Sequence, residues 1–283
     1  MRLTRGWAEA AAFVVLYETY ETARGHIHPA AGPSLHHAET VVRVERAVGL
    51  YQEPRIQRAF IDHKTFMQFW DIYYGTIHFV VPAFALWLLW RRARHRYPQA
   101  RNVFLLSCYL ALLVFALWPL MPPRYMPVHY GFFDSGVRYG GLGPLDSGRT
   151  KDTNPFAAMP SLHIGWSVFS AWVLVRILRR RPLKVLAVLY PVVTLFCIVV
   201  TANHWILDAV GGLVTFGTAL AVVMVTEHLW RRRRGGEERV EAHDGRILGP
   251  PGPSGREYPP VRARRGVASG LRRRSSGTNL HAR

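Results

Sequence analysis

The run LKVLAVLYPVVTLFCIVVTANHWILDAVGGLVTFGTALAVVMVTEHLW, residues 183–230, decides the class of fold. It contains two mostly apolar stretches, 183–202 and 205–230, separated by a short polar turn. A helix needs about 20 such residues to cross the hydrocarbon core of a bilayer, which is about 30 Å thick. The run therefore predicts two membrane-spanning helices, and it excludes an ordinary soluble globule.

Three further apolar runs cover about 69–90, 103–120 and 161–178. A weaker run, 7–23, is interrupted by Glu9, Glu18 and Glu21. As a span it needs a bundle interior or the interface to accommodate these carboxylates. A cleaved signal peptide is the alternative for this run, since two arginines precede it. With it counted as a span, the sequence predicts an all-α bundle of six transmembrane helices.

Two other regions lie outside the spans. Residues 24–67 hold amphipathic segments from Ala38 to Leu50 and from Pro54 to Phe66, which predict interfacial helices. Residues 231–283 are rich in Gly, Pro, Ser and Arg with little apolar periodicity, which predicts a disordered tail. We therefore expect a membrane-embedded domain over 1–230 followed by a basic tail.

The charge distribution predicts the orientation in the membrane. The chain carries 36 basic and 18 acidic side chains, a net charge of +18. The loops 91–101 and 176–184 each hold five basic residues and no acidic one. Short loops of this kind stay in the cytoplasm. Six alternating crossings then place both termini in the cytoplasm, as in a multi-pass protein of the plasma membrane.

The positive charge of the Arg-rich tail indicates an anionic partner. A nucleic acid is one reading of such a charge. No aromatic side chains interleave to stack on bases, and a basic run beside a membrane helix is typical of contact with anionic lipid head groups. We therefore expect membrane lipids as partners and no nucleic acid. The pattern does not indicate an oligomeric state.

Three polar clusters lie at helix ends that this topology places on the outer surface of the membrane. The clusters are WPLMPPRY at 118–125, NPFAAMPSLH at 154–163 and NHWILD at 203–208. Because all three face the same side, they can meet without any span being displaced.

His204 and Asp208 form the first candidate pair. Residues four apart lie on one face of a helix, so the carboxylate can bind one imidazole nitrogen and leave the other as a nucleophile or a base. The alternative is a buried pair that only satisfies its own hydrogen bonds. An ionisable pair within a membrane span favours a functional role.

Pro160 to His163 form the second candidate. Proline suits the first turn of a helix, and the free N–H groups there attract an anion such as phosphate, which Ser161 can also bind. An adjacent phosphate raises the proton affinity of His163 and favours a donor role. The alternative is a helix cap with a histidine at the water interface.

Several cations are candidates for binding a phosphate. Arg124, after two prolines, can present a two-pronged guanidinium, although an interfacial arginine reaching head groups is an equal alternative. Arg138, Arg149 and Lys151 in the Gly-rich loop 131–154 are further candidates, with solvated side chains as the alternative. His78 is an accessory candidate or a hydrogen-bonding residue of the bundle. We interpret Trp70, Tyr73, Tyr74 and Trp118 as interfacial aromatics.

Pro160-Ser161-Leu162-His163 and His204-x-x-x-Asp208 together resemble the type 2 phosphatidic-acid phosphatase superfamily. The stretch from Ala158 to His163 resembles more narrowly the branch of the inositol phosphorylceramide synthases, inositolphosphotransferases with a leucine where the phosphatases usually have glycine. Pro122-Pro123-Arg124 and the amphipathic stretch before the second span are similar to bacterial members of that branch. The resemblance covers about 1–230.

Two departures from the superfamily pattern bear on the function. Arg124 is followed by Tyr125 instead of proline, and Leu117 stands at the position of a lysine. Ile198 stands where an arginine is expected. The synthase branch also tends to lack these cations, which favours a transferase over a phosphatase and leaves Arg124 as the main phosphate ligand.

The resemblance implies a mechanism for the catalytic domain. His204 would attack phosphorus to give a phosphohistidine, Asp208 would orient it, and His163 would protonate the leaving oxygen. Water or an alcohol such as inositol would then take the phosphoryl group. No metal and no cofactor is implied, and the expected substrate is a lipid phosphate at the outer leaflet.

Proteins of other classes fit less well. A transporter or lipid-handling protein, in which the histidines relay protons, would need polar residues deep in several spans, whereas here they cluster on one side. A lipid-surface binding module would use only the tail. A CDP-alcohol transferase requires closely spaced aspartates, and a thiolate zinc site needs more than the two cysteines present.

Overall fold

A computed structural model of the protein describes residues 2–139 and 154–247, and its regular elements over these ranges are helices. The helices are α1 Arg2–Gly25, α2 Ala31–Ala47, α3 Glu53–Phe60, α4 Lys64–Arg92, α5 Tyr97–Leu117, α6 Ser135–Tyr139, α7 Leu162–Ile177, α8 Arg181–Val200 and α9 Ile206–Ile247. Turns and short 3₁₀ segments connect them. The prediction of an all-α protein is confirmed.

Several helices are long and apolar enough to cross a membrane. Within the described ranges these are Lys64–Arg92, Arg94–Leu117, Arg181–Val200 and Ile206–Arg233. Helix α7 is also apolar but has only 16 residues, about 24 Å at 1.5 Å per residue. Helix α1 does not meet the same criteria. The chain is a membrane protein, and the number of six crossings stays a prediction.

The carboxylates of α1 have partners within the bundle. Glu9 forms an ion pair with Arg101 of α5, and Glu21 accepts hydrogen bonds from Tyr17 and Arg24. Aromatic side chains of α1 join the core beside α5 and α7. Helix α1 therefore packs as part of the helical bundle.

The region before the second predicted span is divided differently from the prediction. Helix α2 covers most of the first amphipathic segment. The second segment, 54–66, belongs to two helices, because α3 ends at Phe60 and α4 begins at Lys64. One face of α2 is buried and carries Ala38, Val41 and Glu45. This face lies against the start of α9.

The chain divides into two units, Met1–Arg232 and Arg233–Arg283. The prediction of a disordered tail is not confirmed, and helix α9 extends to Ile247. Glu227 and Arg231 lie one turn apart in this helix with a 3.8 Å ion pair, an interaction that supports helix continuation. Residues 248–283 lie outside the described ranges.

The three polar clusters meet around the start of α9. A parallel bridge joins Leu120 to Ala157, with the N–H of Leu120 donating to the carbonyl of Phe156 at 2.7 Å. Trp205 is fully buried against this connection, and its Nε1 donates to the carbonyl of Met121 at 3.0 Å. The segments after α5 and before α7 are thus fixed to the turn before α9.

Candidate active site

His204 lies in the turn between α8 and α9 and is almost fully buried. Its Nδ1 atom is 2.9 Å from the carbonyl oxygen of Ala158 and 3.3 Å from Oδ2 of Asp208. Both neighbours are acceptors, so we assign the proton of the neutral ring to Nδ1. Nε2 is then left with a lone pair, as a nucleophile or a base requires.

Asp208 binds His204, but the two residues do not lie on one face of a helix, as the sequence predicts. Helix α9 begins at Ile206, so His204 precedes the helix and Asp208 is its third residue. Oδ2 of Asp208 also accepts the N–H of Trp205 at 2.9 Å. A side chain at the third helical position that reaches back to the cap residue is half of a capping box. The carboxylate therefore fixes the start of α9 and the imidazole together.

His163 lies in the first turn of α7, and its Nδ1 atom is 3.3 Å from Nε2 of His204. The ring stacks on Tyr74 with centroids 4.1 Å apart and contacts His78 at the same distance. Nδ1 of His78 donates to the carbonyl of Tyr74 at 2.6 Å. His78 thus makes the bundle hydrogen bond and also adjoins the site, while Tyr74 is a wall of the site rather than an interfacial aromatic.

Ser161 packs the helices rather than facing an anion. Its side chain is fully buried and makes no capping hydrogen bond, and it is not among the residues that line the cavity at the histidines. Its N–H donates to the carbonyl of Asp208 at 3.0 Å. A Cβ atom on Gly212 would overlap the carbonyl oxygen of Ser161. Ser161 therefore contributes to the close backbone contact between α7 and α9.

A cavity of about 90 Å³ adjoins the two histidines. Arg124 lines it from the segment after α5, and the N–H of Arg124 donates to the carbonyl of Ala202 at 2.9 Å. Asn154 and Asn203 line the same cavity. The cavity thus combines a cation and amide groups beside Nε2 of His204.

Arg24, at the end of α1, also lines this cavity, and sequence analysis missed it. Its Nη2 donates to Oε2 of Glu21 at 2.8 Å. Leu117 and Ile198, which occupy the positions of the expected cations, are 72% exposed and fully buried, respectively. The second guanidinium of the site therefore comes from α1, a helix that carries no motif.

Arg138, a further predicted cation, lies apart from the site. Arg138 donates to Oδ1 of Asp62 at 2.8 Å, on the surface. Arg149 and Lys151 lie outside the described residues.

Two buried glutamates hold the start of α9. Glu45 of α2 accepts the N–H of Leu207 at 2.7 Å, and Glu53 of α3 accepts the N–H of Ile206 at 2.9 Å. Both side chains are fully buried. Burial first, and then the hydrogen bond and charge of Glu53, raise the pKa of Glu45 to about 9. Glu45 therefore retains its proton at neutral pH.

These glutamates were also missed by sequence analysis. Their signal was present, since Glu45 lies within one amphipathic segment assigned to the interface and Glu53 directly precedes the other. Their target, the first N–H groups of α9, lies about 150 residues further along the chain, and no local pattern encodes that distance.

Two adjacent histidines and two arginines thus line one cavity in a membrane protein, an arrangement suited to binding an anionic group. Over residues 39–222, more than half of the chain, the sequence matches the PAP2 superfamily, and the chain belongs to it. This superfamily comprises phosphatases and phosphotransferases, so the protein is an enzyme of that class. No curated protein and no solved structure matches the sequence.

Proposed function

We propose that the protein transfers the phosphoryl part of a lipid phosphate through a phosphohistidine at His204. The arrangement of His204 is the observation that carries this proposal. Its Nδ1 is held by the Ala158 carbonyl and Asp208, while Nε2 is directed toward His163. An imidazole fixed from behind by acceptors has the geometry of an activated nucleophile.

The reaction uses the residues of the cavity in two steps. Arg124 and Arg24 bind the phosphate oxygens. Nε2 of His204 bonds to phosphorus while the bond from phosphorus to the lipid oxygen breaks, and His163 gives its proton to that oxygen. Asp208 stabilises the charge that develops on the imidazole. Water or an alcohol then attacks phosphorus, His163 takes the proton, and His204 is released.

The resting geometry requires one movement. Nδ1 of His163 occupies the position 3.3 Å from Nε2 where phosphorus must lie for attack. The incoming phosphate therefore separates the two rings. His163, displaced from His204, is then placed beside the phosphate, where it can protonate the leaving oxygen.

The acceptor is proposed to be an alcohol. If the donor lipid carries phosphoinositol, this head group is the part bound to His204, the lipid alcohol leaves, and the acceptor alcohol then receives the phosphoinositol. Support comes from the resemblance of Ala158 to His163 to the synthase branch, and from the apolar residues at positions 117 and 198. Hydrolysis is the second candidate, because the covalent step is common to both.

The site is proposed to face the outer leaflet of the plasma membrane, with both termini in the cytoplasm. Basic loops at the opposite helix ends support this orientation. Val128 is 90% exposed near the site, and Arg179 is exposed between α7 and α8. A cysteine at 128 should react with an impermeant reagent added to intact cells, and one at 179 should not; the opposite pattern contradicts the orientation.

Incubation of the purified protein with labelled lipid phosphates, with and without inositol or another polyol, tests the activity. We expect labelled phosphate on the wild-type protein and none on His204→Ala. Product that forms only with a polyol indicates a transferase, and release of the free phosphate group indicates hydrolysis. Turnover by His204→Ala at the wild-type rate would refute the mechanism.

A further inference from the structure

A second, larger cavity of about 750 Å³ lies between α1 and α4. Its walls are mainly apolar and aromatic, with Phe13 and Val14 on α1 and Leu86 and Trp87 on α4. Val14 and Trp87 are 55% and 54% exposed. We call this cavity the α1–α4 groove. Its size is within the range of sites that hold a small molecule.

The groove adjoins the active site. His78, Phe79 and Trp166 line both the groove and the catalytic cavity. The ring of His78 lies 4.1 Å from that of His163. One end of the groove therefore lies beside the catalytic cavity, separated from it by these shared side chains.

The length of the groove matches a lipid chain. Its lining along α4 runs from His78 to Arg91, about 20 Å at 1.5 Å per residue. One leaflet of the hydrocarbon core is about 15 Å deep. Arg91 and Arg94, the latter 4.0 Å above the ring of Trp90, line the end remote from the histidines.

We propose that the α1–α4 groove binds one hydrocarbon chain of the lipid phosphate, with the phosphate in the catalytic cavity. This inference rests on the proposed function. The groove supplies apolar walls along a full chain length, and the catalytic cavity supplies the cations. The substrate class is therefore a long-chain lipid phosphate that enters sideways from the bilayer.

The groove contributes by positioning the substrate rather than by raising the affinity for it. A chain that leaves the bilayer for the groove exchanges one apolar environment for another, so it gains little free energy. A fixed chain does hold the phosphorus at the correct distance from His204, and a small misplacement there can cost about 100-fold in rate. Blocking the groove should thus impair long-chain substrates selectively.

Ala83→Trp tests this inference. Ala83 is an exposed helical residue that lines the groove, so a larger side chain enters the groove without disturbing the core. Ala221→Trp is the matched control, on an exposed position of α9 outside the groove. The substrates are a dipalmitoyl and a dibutyryl lipid phosphate in the same mixed micelles, and kcat/KM is measured for each.

We expect Ala83→Trp to lower kcat/KM at least about tenfold for the dipalmitoyl substrate and less than about twofold for the dibutyryl one, with Ala221→Trp changing neither. Equal effects of Ala83→Trp on both substrates, or none, would overturn the inference. Val14→Trp narrows the groove from its opposite wall and serves if Ala83→Trp does not fold.

A measurement without turnover separates the groove from the proposed function. A lipid phosphate with a photoreactive group in its chain is bound to His204→Ala and irradiated. Labelling of α1 and α4 peptides that is lost in Ala83→Trp supports the groove, even if no lipid phosphate is turned over. Labelling that is spread equally over the exposed faces of α8 and α9 shows only bulk lipid contact and overturns it.

Discussion

Nε2 of His204 lies 3.3 Å from Nδ1 of His163. Because Nδ1 of His204 has two acceptor neighbours, the proton between the rings belongs to His163. The lone pair on Nε2 of His204 thus accepts this hydrogen bond, and in the proposed mechanism a phosphate displaces it. The two histidines therefore have separate roles, which distinct kinetic measurements can resolve.

The role of His163 as a proton donor predicts a dependence on the leaving group. His163→Ala should lose about 10²–10⁴-fold in kcat with a lipid phosphate, whose alkoxide leaves only with a proton. With p-nitrophenyl phosphate the loss should be much smaller, because nitrophenolate needs no proton. His204→Ala should be inactive with both. Equal losses of His163→Ala on the two substrates would contradict the assignment.

Asp208→Asn should impair activity less than His204→Ala, which removes the proposed nucleophile. The Ala158 carbonyl, at 2.9 Å, continues to hold Nδ1–H when the acceptor at 3.3 Å is weakened. We expect a loss of about 10²-fold in kcat, below the roughly 10⁴-fold loss where an aspartate alone sets the tautomer. A loss as large as that of His204→Ala, in a protein with unchanged melting temperature, would show that the carbonyl does not substitute.

The contributions of Arg124 and Arg24 to activity should be separable by single substitutions. Arg124→Ala should lose about 2–4 kcal/mol of transition-state stabilisation, and Arg124→Lys should recover only part, because an ammonium cannot donate in a fork. Arg24→Ala should also lower kcat/KM. Arg138→Ala, which removes a surface partner of Asp62, is the control. Retention of wild-type efficiency by Arg124→Ala would make Arg124 an interfacial anchor.

Gly212→Ala should destabilise the protein, because its Cβ would overlap the carbonyl of Ser161 and lie 3.2 Å from the backbone nitrogen of Gly165. Neither group is a flexible side-chain end, so α7 and α9 must separate. Gly217→Ala, on the same helix with open space around its Cβ, should be neutral or raise stability by up to about 1 kcal/mol. Thermal melting in detergent measures both; equal effects would contradict the close contact.

The raised pKa of Glu45 predicts a pH dependence of stability. The pKa of Glu45 rises from 4.5 to about 9 on folding, so the folded protein retains a proton that the unfolded chain loses over this interval. Stability contributed by this group should therefore fall as pH rises from about 5 to about 9.

Glu45→Gln removes this titration. Its amide can donate to Glu53 and accept from Leu207, as the protonated acid does, so the melting temperature should vary less with pH than in wild type. Glu39→Gln, on the same helix, is the control. An unchanged pH profile in Glu45→Gln would show that Glu45 does not hold a proton in the folded protein.

The sequence by itself determined the class of fold and most of the catalytic groups. Apolar runs near bilayer length permit little other than helices, since the backbone must satisfy its own hydrogen bonds in lipid. His163, His204, Asp208 and Arg124 lie in polar clusters at the ends of such runs. These features are local in the sequence, so the spacing of the residues is enough to predict them.

Only the tertiary structure decided what surrounds those groups. Tyr74 and His78 are one turn apart on α4, yet their contact with His163 depends on how α4 packs against α7. Arg24, Glu45 and Glu53 reach the site from helices without motifs. Side chains that act across more than a hundred residues depend on helix packing, which is a sum of many small contacts that no single segment encodes.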